Sequence, residues 1–100
     1  MPAKGSVREK NDIKIREPKM YNVIMHNDDF TPMDFVVEIL VTIFHKDKAN
    51  ANALMLHVHK NGKAVAGCYP YDIAVTKTTE AQTAAREKGY PFRMTVEESE

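Results

Sequence analysis

Tyr21-Asn22-Val23-Ile24-Met25-His26 runs straight into Asn27-Asp28-Asp29-Phe30-Thr31-Pro32-Met33, and the change of character at Asn27 decides the fold. In the first segment β-formers dominate and Val23 and Met25 alternate with Asn22, Ile24 and His26, which predicts a strand, the first of a sheet. Three short polar side chains then stop it. Thr31 can cap free backbone amides, Pro32 suits a first helical position, and Asp34 can complete a capping box or favour the helix dipole. The resulting helix spans about Pro32 to Phe44. Its polar residues Asp34, Glu38, Thr42 and His45 fall on one narrow stripe, so the rest of the cylinder is enclosed.

Working outward, His45 to Lys48 is a polar break, and Ala49 to Lys60 reads as a second helix, with Leu54, Met55 and Val58 at helical spacing and Gly62 as a C-cap. Lys63 to Tyr69 is a strand of small residues in which Gly67 allows another backbone to come close. A third helix opens around Tyr69-Pro70-Tyr71-Asp72 and runs to about Lys88, turning Ile73, Ala74, Ala81, Ala84 and Ala85 inward, before Gly89 and Pro91 end it. Phe92 to Val96 alternates as a last strand. The order β-α-α-β-α-β describes an α+β two-layer sandwich, a three-stranded antiparallel sheet packed with three helices. Residues 1–19 have only Val7, Ile13 and Ile15 as sizeable apolar side chains and cannot offset the entropy of ordering, so a flexible N-terminal arm is expected ahead of one domain over 20–100.

Composition narrows the function. Lys and Arg total 14, matched by 14 Asp and Glu, so no overall field attracts nucleic acid or an anionic membrane. The single cysteine, Cys68, excludes an internal disulfide and fits a reducing compartment. No apolar run approaches the length of a membrane helix or signal peptide, and a cytoplasmic protein is expected.

The chemistry concentrates at Asn27-Asp28-Asp29. Two carboxylates and an amide at a strand end, with no nucleophile beside them, suit gripping a positive group; the same residues can form an Asx-type turn, and the two roles are compatible. In Met55-Leu56-His57-Val58-His59 the two histidines project about 200 degrees apart and cannot chelate one metal from a regular helix. Met55, Val58 and His59 share a face, so His59 is expected to point inward and His57 to solvent. Met33 and Met55 can border a cavity next to Asn27 or serve as core filler.

Asn-Asp-Asp-Phe-Thr-Pro-Met at 27–33, Met-Leu-His-Val-His at 55–59, Gly62-Lys63-Ala64 and Thr76-Lys77 together resemble, in order and spacing, the ClpS family of bacterial N-degron adaptors over residues 20–96. The resemblance implies an adaptor, not an enzyme, with no cofactor and no metal. It captures proteins by a destabilising N-terminal residue and hands them to a Clp-family AAA+ unfoldase partnered with the ClpP peptidase. It further implies that Asn27, Asp28 and His59 hold the substrate's α-amino group and that Asp29, Thr31, Met33, Met55 and Val58 wall the side-chain pocket. Phe92 falls near the pocket floor, where the family often has Leu; Asp72 and Lys77 match positions touching the unfoldase's N-terminal domain. The chain departs from the pattern at Val75, where Glu is usual, and at Pro70, where Thr is common. Two competing readings are a metal-dependent hydrolase using Asp28, Asp29 and His59, and, by fold analogy alone, a ribosome-associated binding domain.

Overall fold

A computed structural model describes residues 18–100; the expected arm over 1–19 lies outside the described residues except for Pro18 and Lys19. The described elements are β1 (Met20–His26), α1 (Met33–Thr42), α2 (Lys48–Asn61), β2 (Lys63–Pro70), α3 (Tyr71–Glu87) and β3 (Arg93–Glu98), which is the expected order. β1 lies in the middle of an antiparallel sheet of order β2-β1-β3. Its central place explains why Ile24, expected on the polar face, is buried along with Val23 and Met25: a strand paired on both sides is shielded even on its outer pleat.

α2 and α3 pack on this sheet, and α1 packs on α2. Val23 and Met25 from β1, Ala64 and Ala66 from β2 and Met94 from β3 meet the apolar faces of the helices in one core. α3 lies across all three strands, and its buried residues are Ala74, Thr78, Ala81 and Ala85. Their spacing of four, three and four keeps one stripe on the sheet, and alanines let the helix lie close. Ile73 was expected on that stripe but is 47% exposed, because it sits about 100 degrees round the helix from Ala74. Thr78 takes an inward place instead, and among the described residues its buried hydroxyl has no partner.

The helix ends show which local signals operate. Asp47 caps α2, its Oδ1 accepting from the Asn50 amide at 2.7 Å, and Gly62 closes the helix at φ 91°, the left-handed conformation that glycine adopts freely. α1 lacks the expected cap. Pro32 occupies the N-cap position with no side-chain bond, and the Thr31 hydroxyl donates to the Asp28 carboxylate instead of accepting from the helix. Pro70 likewise precedes α3 without a capping bond, yet the helix starts at Tyr71. α1 stops through His45, which takes a left-handed φ of 58°, and the Lys46 amide returns to the Leu40 carbonyl at 3.0 Å.

Gly67 serves a different neighbour from the one expected. A Cβ there would meet the Tyr69 ring, two of whose carbons lie 2.6 Å away, so it is a side chain and not another backbone that needs the space. The Tyr69 ring in turn lies 5.4 Å from the Lys77 ammonium, which donates to the Ile43 carbonyl at 2.7 Å and also lies 5.9 Å from the Phe44 ring. Lys77 of α3 thus ties down the C-terminal end of α1.

Candidate functional site

The turn after β1 is built around one carboxylate. Asp28 Oδ1 accepts from the Phe30 amide at 2.8 Å and the Thr31 amide at 2.7 Å, while Oδ2 accepts from the Thr31 hydroxyl at 2.9 Å. This is the Asx-type turn that the sequence allows. The Asn27 amide donates to the Gly62 carbonyl at 2.8 Å, which fixes the start of the turn against the link between α2 and β2. Asn27 and Asp29 are left exposed, and Asp28 is half-buried.

Between this turn, the start of α1 and the middle of α2 lies a cavity of about 140 Å³. Its rim is polar, with Asn27, Asp28, Asp29, Thr31 and His59; its apolar lining is Met33, Val36, Met55, Val58 and Phe92. All nine residues that the resemblance assigns to amine and side-chain binding therefore line one cavity. Volume decides what can enter: roughly 150 Å³ of apolar cavity holds a benzene ring. Met33 is 45% exposed at the mouth, whereas Phe92 at 2% is part of the core, its ring edge-on to Phe35 at 6.2 Å. Arg86 holds the segment carrying Phe92, donating to the carbonyls of Tyr90 and Phe92 at 2.9 Å each.

One detail corrects the sequence reading. His59 is exposed and not inward, because the buried stripe of α2 is Ala51, Met55 and Val58, and His59 lies at the edge of that stripe, where it overhangs the cavity. His57 is also exposed and pairs with Asn61 on the helix surface, at 3.1 Å. Two further lining residues escaped the sequence reading, Val36 and His26. Val36 was findable, since it lies one turn after Met33 on the same helix face. His26 ends β1 and shares a 2.9 Å hydrogen bond between Nε2 and the Thr95 hydroxyl. Burial, and then the charges of Arg93 and Lys63, hold the His26 pKa below its ordinary value, against a smaller opposing effect of Glu97.

Asp72 and Lys77 lie elsewhere, lining a separate hollow between the end of α1 and α3 together with Ile43, His45 and Glu80. Among the described residues no group of three His, Cys, Asp or Glu side chains could hold a metal ion. No described helix is long and apolar enough to cross a membrane.

Fold and cavity together define a small recognition domain with a polar-rimmed apolar hole. A family model for the ATP-dependent Clp protease adaptor protein ClpS matches residues 16–95. Proteins named ATP-dependent Clp protease adapter protein ClpS are similar along nearly the whole chain. The one from Clostridium acetobutylicum is 50% identical over 93 residues, covering 93% of this chain and 90% of that protein. The one from Syntrophus aciditrophicus is 53% identical over 85 residues, covering 85% and 79%. Among solved structures, Agrobacterium tumefaciens ClpS2 bound to L-phenylalaninamide is similar with a TM-score of 0.80 and 36% identity, over 83% of this chain and 100% of that one. The chain belongs to the ClpS family: it is a Clp protease adaptor and not an enzyme. The hydrolase reading of Asp28, Asp29 and His59 finds no support in these relatives, and the Asp28 carboxylate is largely committed to the turn.

Proposed function

We propose that the cavity holds the first residue of a protein chain, its free α-amino group at the rim and a large apolar side chain, Leu, Phe, Tyr or Trp, in the hole. The observation that carries this is a count of acceptors. An ammonium has three donors and no acceptor. A carboxylate offers about four lone-pair sites, and Asp28 has spent three on its own turn, leaving one on Oδ2. Of the rim's acceptors, that lone pair, the Asn27 oxygen and a His59 ring nitrogen are enough to meet the three donors. An acetylated or internal residue lacks those three donors, and each acceptor that it buries without a partner costs about 1–3 kcal/mol.

The apolar lining supplies the second half of the selection. Burying a Leu or Phe side chain there contributes about 1.5–3 kcal/mol, which favours large apolar termini over polar ones. Met33 at the mouth crowds β-branched side chains, so Ile and Val bind less well than Leu or Phe. Phe92, bulkier than the Leu often found in the family, raises the floor. The L-phenylalaninamide held by the Agrobacterium protein has both features, a free amine and an aromatic side chain.

The captured protein passes to a Clp-family AAA+ unfoldase in the cytoplasm, and the surface around Asp72 is the docking face for that partner's N-terminal domain. The test is fluorescence anisotropy with Leu- and Phe-initiated peptides against their N-acetylated forms. A loss of affinity of tenfold or more on acetylation, about 1.4 kcal/mol, is expected; equal affinities would refute the reading.

A further inference from the structure

A second cavity, of about 470 Å³, runs between α1 and α2. It meets the first at Met33 and Met55, which line both. Val37 and Val41 give it an apolar wall on α1, and Asn52 faces them from α2. Val41 and Asn52 are half-buried and Met33 is exposed, so solvent reaches the groove over the buried Val37 and Met55. From Met33 to Thr42 the helix rises about 13 Å at roughly 1.5 Å per residue. An extended peptide covers that distance in about four residues.

We propose that this groove receives the substrate chain immediately after its first residue, seating an aliphatic side chain from positions two to five against Val37 and Val41 while the Asn52 amide bonds to the passing backbone. The inference rests on the amine-binding reading of the first cavity. A chain whose first side chain fills that hole must leave across its mouth, and Met33 and Met55 form the wall common to both spaces. Adaptor selectivity is then set by a short segment and not by one residue: the first cavity tests for a free amine, and the groove grades the segment behind it.

The experiment uses the full chain and three ligands: L-phenylalaninamide, a Phe-initiated pentapeptide with Leu at positions three and four, and the same peptide with Ser there. Calorimetry on the native protein is expected to give about tenfold tighter binding of the Leu peptide than of the Ser peptide. Val41→Asp and Asn52→Trp, one making the wall polar and the other filling the groove, are expected to abolish that difference and to leave L-phenylalaninamide affinity unchanged. If L-phenylalaninamide binds but the two peptides are equal, or if the variants weaken all three ligands alike, the groove inference is overturned while the amine reading stands. If L-phenylalaninamide does not bind, the amine reading itself fails. A concentration-dependent dimer in sedimentation that Asn52→Trp abolishes would assign the groove to a second copy of the chain and overturn the inference as well.

Discussion

At the scale of single residues, Asp28 has two duties. Its carboxylate accepts two backbone amides and a hydroxyl within the turn, and in the proposed function its remaining lone pair meets the ligand's ammonium. The two duties are separable by substitution. Asp28→Ala removes the turn acceptors, and stability in urea should fall by about 0.5–2 kcal/mol, the usual range for losing such a cap. Asp28→Asn keeps an oxygen for the Phe30 and Thr31 amides but loses the charge. It should fold nearly as stably as the parent while losing about 1.5–3 kcal/mol of peptide binding in a titration. Equal loss of binding in step with loss of stability would reduce Asp28 to a turn residue. The sequence showed the turn and the candidate grip together but not their division, because which oxygen serves which donor depends on Thr31. Its hydroxyl, a helix cap by sequence, turns back to Asp28 instead.

At the scale of elements, the end of α1 depends on α3. Lys77 places its ammonium on the Ile43 carbonyl and beside two aromatic rings, so part of what a substitution there does is structural. Lys77→Met should lower stability by about 1–3 kcal/mol in denaturant titration, since it leaves a carbonyl unpaired. Asp72, exposed on the first turn of α3, is the cleaner probe of the docking face proposed there. His45 holds a left-handed conformation at the stop of α1, where a side chain with a Cβ costs roughly 1–2 kcal/mol. His45→Gly should therefore raise the unfolding free energy by about 0.5–1 kcal/mol once the added freedom of the unfolded chain is counted, read as a higher unfolding midpoint. The existence and order of these elements were legible from periodicity and from Gly62 and Gly89. Their facing was less so: Ile73 and Thr78 are each one step from where apolarity alone would place them, because α3 follows the stripe its alanines set.

At the scale of the whole molecule, the sheet has one covered face and one open one, and His26 stands on β1 with Lys63 and Arg93 as its cross-strand neighbours. The folded protein resists protonating this ring, whose pKa is lowered first by burial and then by those two cations. The unfolded chain binds the proton near the ordinary value of 6.5, so it holds more protons than the folded form just below that pH. Stability should be full above about pH 6.5 and fall as pH drops toward the lowered folded-state value. His26→Gln should flatten that part of a melting-temperature profile; a profile unchanged by the substitution would assign any acid sensitivity to other groups. This coupling was not legible in the sequence, because Lys63 and Arg93 reach His26 only once three distant strands are paired. The cavity was legible for a contrasting reason: its rim is contiguous at 27–31, and its wall repeats at helical spacing in Met55, Val58 and His59.

The strand that enters the domain first is also the one paired on both sides, with the Ser99 amide bonded to the Met20 carbonyl at its very start. A tug delivered from ahead of Met20 thus meets two ladders that must unzip together, with no loose edge to peel. A Clp protease adaptor whose entry strand is held on both sides would keep its shape under such a pull.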